Sequence, residues 1–105
     1  MLTFRKDLIV GESLKGKERK IVPNIKRGKI KKKGVTLITY AANGKDLFDL
    51  IPAKEMKYPV RQEQQFYVLG LAGSRGEALE LVQGLVMEVY NKTGEFDVRG
   101  YFGCQ

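Results

Sequence analysis

The 105-residue chain contains no histidine and no tryptophan, only three prolines, and a single cysteine, Cys104, next to the last residue. Without imidazole, Ser-His and Cys-His nucleophilic arrangements and every His-ligated metal site are excluded. One thiol cannot form an internal disulfide or supply a Cys-rich zinc or iron-sulfur site within one chain. The carboxylates at Asp46, Asp49 and Asp97 and the glutamates never fall into the alternating pattern of a calcium loop. The reading is therefore of a domain without metal or cofactor. A long apolar run is also missing: nothing approaches the ~20 residues of a spanning helix, and Arg5, Lys6 and Asp7 interrupt the first apolar stretch before a signal-peptide core forms. These features set the expectation of a cytoplasmic protein.

What remains is 43% hydrophobic and 30% charged, enough for one thin core in a single domain spanning 1–105, with 1–10 as an edge strand or arm and 103–105 as a flexible tail. The net charge of +7 is unevenly placed. Residues 1–34 hold 12 Lys or Arg against 3 acids, whereas 35–105 hold 7 against 9. Most of the excess lies in 15–33, LKGKERKIVPNIKRGKIKKKG, counted from Leu14 through Gly34. Such a block repels itself in water and gains when a polyanion neutralises it. Arg19, Lys20, Lys26, Arg27, Lys29, Lys31, Lys32 and Lys33 are accordingly the candidate nucleic-acid or polyanion-binding residues. An acidic protein surface is the other partner such a block suits, and a plain solvated face is the competing explanation.

The pattern along the chain gives seven elements. MLTFRKDLIV reads as an interrupted strand ending at Gly11. From Glu12, the residues Leu14, Ile21, Val22 and Ile25 share one side of a helical wheel, which predicts an amphipathic helix with its basic side outward. Pro23 is expected to break or kink it near Val22, or to restart it. VTLITYAA, 35–42, is apolar on both faces and reads as an interior strand. Asn43-Gly44 then signals a hairpin into KDLFDLI, pairing Tyr40 with Leu47 and Ile38 with Asp49. The rival reading is a short helix capped by Asn43. The stretch 52–65 reads as surface loop, with perhaps a helical turn at 53–56 and with Tyr58 and Arg61 as its recognition-capable residues.

FYVLGLA, 66–72, reads as a central strand. Ser74 and Glu77 form a capping box before a helix over 75–91, about 25 Å long, which Gly94 stops. Val82, Leu85, Val86 and Val89 are its expected buried face. FDVRGYF, 96–102, alternates in the manner of a half-exposed edge strand, parallel to 66–72 across a right-handed crossover. The fold class this order implies is α+β, a small mixed β-sheet with two helices packed on one face.

Three further patterns compete with plain structural roles. Gly70, Gly73 and Gly76 lie between strand and helix, where Ser74 and Arg75 form a candidate anion site, although the spacing matches no phosphate fingerprint and Glu77 would repel an anion. GSRG also matches a G-x-x-G clamp for RNA, but a strand precedes it where that clamp needs a helix. Phe66, Tyr67, Tyr101 and Phe102 are candidate base-stacking rings or simply core. Glu63, Asp49 and Asp97 with Ser74 and Tyr40 fall into no catalytic spacing, so the chain is read as a non-enzymatic binding module. The alternative is a protein-interaction or structural subunit that makes contact through 52–65 or the last strand; a homo-oligomer is compatible with either.

Overall fold

A computed structural model describes residues 2–30, 34–41 and 46–103. Lys31–Lys33, the Asn43-Gly44 turn and Cys104 lie outside them. Four strands, β1 (Leu2–Val10), β2 (Thr36–Tyr40), β3 (Phe48–Pro52) and β4 (Phe66–Ala72), form one sheet in the order β1-β4-β2-β3. β1 runs parallel to β4, while β2 is antiparallel to both β4 and β3. The helices are α1 (Glu18–Lys26), α2 (Pro59–Glu63), α3 (Arg75–Thr93) and α4 (Val98–Phe102), with 3-10 segments at Glu12–Leu14 and Ala53–Lys57. The molecule is thus of the α+β class with a mixed sheet, as the sequence pattern implies.

The two principal helices do not share a face. Leu37, Ile51, Val68 and Leu71 point to one side and cluster with Leu14, Ile25, Ala53 and Met56, against which Ile21 and Val22 of α1 pack. On the other side, Ile38 and Ala72 meet Ala78, Leu81 and Val82 of α3, and Tyr40 and Leu69 meet Val89 and Val98. The strands 36–40 and 66–72 are apolar throughout because both of their faces are covered.

A bulge fixes this partition. Ile38 pairs with Gly70 and Thr39 with Val68, so Leu69 has no partner on β2. The extra residue puts Val68 and Leu71, three apart, on the same face. On the other flank Phe4 pairs with Val68 and Ile9 with Gly70, so that Arg5, Lys6, Asp7 and Leu8 are spanned by Leu69 alone. The charged centre of β1 thereby swells out of the sheet edge, which discourages pairing with another chain there.

Four expectations are corrected. The first concerns Pro23, which neither breaks nor restarts its helix: α1 continues through it to Lys26. Losing one backbone bond costs up to ~3 kcal/mol. Burying Ile21, Val22 and Ile25 returns ~1.5–3 kcal/mol for each side chain fully hidden, so the amphipathic face wins.

The hairpin forms, but one residue out of the expected register: Tyr40 faces Phe48 and Ile38 faces Leu50. A slip of one residue reverses every side chain, and here it places Phe48 and Leu50 on the α3 side with Ile38 and Tyr40 rather than beside Leu37. The 52–65 stretch is not a loop, since it winds through the 3-10 segment and α2.

Finally, 96–102 is not a strand. Val98–Phe102 is helical, capped by the Asp97 carboxylate, which accepts from the Gly100 N–H at 3.0 Å. The parallel neighbour of β4 is β1 instead. Residues 98 and 102 fit a helical period as well as an alternating one, and the cap decides between them.

Candidate polyanion-binding surface

α1 starts after Gly16, where φ is +82°. Its apolar stripe at Ile21, Val22 and Ile25 lies against the sheet, which dictates where the cations go. Arg19 and Lys26, seven residues apart, share one row on the helix; Lys20 and Arg27 share a second, about 100° around the axis and about 10 Å long. All four are exposed, as is Lys29 just beyond. The helix's one carboxylate, Glu18, is half-buried, and its Oε2 is buried with no hydrogen-bond partner, so it is turned from this surface.

The C-terminal end of α1 abuts the 3-10 segment Ala53–Lys57, where a side chain added at Gly28 would stand 3.3 Å from the Lys57 Cα. Residues three apart on a 3-10 helix eclipse, so the exposed Lys54 and Lys57 project together beside Lys26, Arg27 and Lys29. Between the segments lies a cleft of about 260 Å³. Leu2, Ile25 and Met56 form its apolar part; Lys26, Arg27, Arg61 and Gln62 complete the lining, and no carboxylate is among the described residues that line it. Arg61 is held in place by Glu55 at 2.9 Å and lies over the Phe66 ring, while Lys26 lies over Phe4. The Gln62 amide donates to the Met56 and Lys57 carbonyls.

The structure therefore brings Lys26, Arg27 and Lys29 together with Lys54, Lys57 and Arg61, with Arg19 and Lys20 further along α1. Lys54 and Lys57 were invisible to sequence reasoning because 52–65 lacks any period; only their three-residue spacing signals a shared side. Lys15 stands apart, bonded to Glu12 at 2.7 Å, and that hydrogen bond and the carboxylate's charge hold its pKa above the ordinary lysine value.

Ser74 and Arg75 are in a different region, at the start of α3. The Ser74 hydroxyl accepts from the Glu77 N–H at 3.1 Å. The Glu77 carboxylate in turn accepts from the Gly73 N–H at 2.7 Å and from the Ser13 hydroxyl at 2.8 Å. This turn carries its own anion in the place an external one would take, and uses it to tie the 11–14 segment to α3.

The four aromatics do not form one surface. Phe66 sits among the α1-side residues, Tyr67 stacks on Tyr40 across the other face, and Tyr101 and Phe102 meet edge to face on α4. A hydrogen bond to Glu88, aided by its charge, raises the Tyr101 pKa. Tyr40 donates to the Gly103 carbonyl, under Arg99 at 4.8 Å from its ring. Asp97, Ser74 and Tyr40 are thus each engaged in holding structure. No three acidic or thiol side chains gather as a metal site among the described residues, and no helix among them is long and apolar enough to cross a membrane.

Comparison with protein-family models, curated proteins and solved structures finds no match to this chain.

Proposed function

We propose that this chain is a non-enzymatic module that binds the sugar-phosphate backbone of nucleic acid, with little regard to sequence, through the surface formed by α1 and the 53–61 segment. The observation that carries the reading is the junction of the two segments, where Lys26, Arg27 and Arg61 line a cleft free of lining carboxylates while Lys29, Lys54 and Lys57 extend the positive field around it. A field of one sign over a concave site concentrates polyanions and draws them in. Two rows of cations about 10 Å long suit an anion that repeats along a line, as a phosphate backbone does. Base reading would need free donors and acceptors at the site, and the Gln62 amide is already committed to backbone carbonyls.

The test compares two double variants of equal net charge. Lys26→Glu/Arg27→Glu alters the cleft, whereas Lys6→Glu/Lys92→Glu alters exposed sites away from it. Fluorescence anisotropy with labelled single-stranded and duplex oligonucleotides should show affinity falling about tenfold or more for the first and less than about threefold for the second. Equal losses would mean that net charge alone attracts the ligand and that this surface is not the site.

A further inference from the structure

The β3 edge of the sheet carries a second inference, independent of the basic surface. β3 has a strand on one side only, because the order is β1-β4-β2-β3. Leu47 C=O accepts from the Ala41 N–H and the Ala53 N–H donates to the Val35 carbonyl. Residues 47, 49, 51 and 53 therefore direct their backbone groups toward β2, and by alternation Phe48, Leu50 and Pro52 direct theirs outward. Proline stands at the one outward place where its missing N–H leaves the β2–β3 ladder intact.

We infer that this edge pairs with the same edge of a second copy of the chain, antiparallel and about a two-fold axis at Leu50. The outward positions 48, 50 and 52 are symmetric about Leu50. Leu50 of the two copies would exchange two N–H···O bonds. Each Phe48 N–H would meet a Pro52 carbonyl, and this pairing asks nothing of the proline nitrogen. A two-fold perpendicular to the sheet keeps the α3 face of both copies on one side. Leu79, which is 46% exposed beside Phe48, Leu50 and Val82 in the groove along β3, then meets its own counterpart over the seam. The same symmetry sets exposed Asp46 of one copy opposite exposed Lys54 of the other, so the ends of the seam are complementary in charge. A second copy is favoured over an unrelated extended peptide because backbone pattern, apolar contact and charge are all self-complementary. The contact is short and belongs to the weak, reversible class of interfaces.

Sedimentation or light scattering from about 5 to about 500 µM, with backbone amide exchange measured across the same range, tests the inference. The mass should rise from 11.9 kDa toward twice that value, and the Phe48 and Leu50 amides should slow in exchange as concentration rises. Leu50→Pro removes an outward N–H and should abolish the rise. Leu79→Lys, at an exposed site that leaves the fold intact, should do the same by bringing two ammonium groups together. A mass of 11.9 kDa throughout the range overturns the inference. So does a dimer in which those two amides gain no protection, or one that both variants leave unchanged.

Discussion

Single residues in this chain act mostly through the space around them, as two glycines six positions apart illustrate. A Cβ on Gly70 would stand 2.7 Å from the Ile9 carbonyl oxygen, a backbone atom of the adjacent strand at the point where both neighbouring registers shift. At Gly76, in the first turn of α3, the nearest atom would be 3.9 Å away. Gly70→Ala is therefore expected to cost about 1–3 kcal/mol through displaced backbone. Gly76→Ala should be neutral or stabilising by up to about 1 kcal/mol, since alanine is the better helix former. Urea denaturation of both variants checks the pair, and equal effects would refute the tight β1–β4 contact. The sequence shows only that both are glycines between a strand and a helix. The difference lies in what a distant strand does, which no local pattern records.

Among elements, α3 was the most legible, because local signals agree with the packing. Ser74 caps it through the Glu77 N–H and its C-terminal stop is Gly94 at φ +75°. Leu85 and Val89 are buried in it, although Val82 and Val86 are only half so, and Leu79, Met87 and Tyr90 stay exposed: the apolar arc is wider than the sheet beneath. Leu85→Ala should cost about 2–5 kcal/mol, against under about 1 kcal/mol for Leu79→Ala in the monomer. Chemical denaturation at low concentration separates them, and similar losses would mean that the helix is rotated from its described orientation.

Elements whose signals conflict were less legible. In 96–102 two periods fit equally well, and a capping bond chose the helix. In the 35–51 hairpin the presence of two strands was plain, but their register depends on which face α3 covers, and that is a tertiary fact. At Pro23 a strong local penalty was outweighed by a buried face. The basic character of α1 was readable from composition; its convergence with Lys54 and Lys57 required knowing that the 53–57 segment docks at the end of α1.

At the scale of the molecule, a sheet covered on both faces leaves two features facing outward: the cation-rich junction of α1 with 53–61, and the β3 edge. Reading the junction as a nucleic-acid site makes a demand that contact by hydrophobic burial does not. Each phosphate neutralised releases condensed counterions, so affinity must fall along a straight line against log salt, with a slope near −0.9 per contact on duplex DNA. The most direct measurement is that slope, from about 50 to about 300 mM salt, for the parent protein and for Lys26→Glu/Arg27→Glu. Four to six contacts predict about −3 to −5 for the parent, and losing two of them a slope shallower by about 2, on every sequence alike. An unchanged slope in the variant, or no saturable binding by the parent at the lowest salt, would contradict the account.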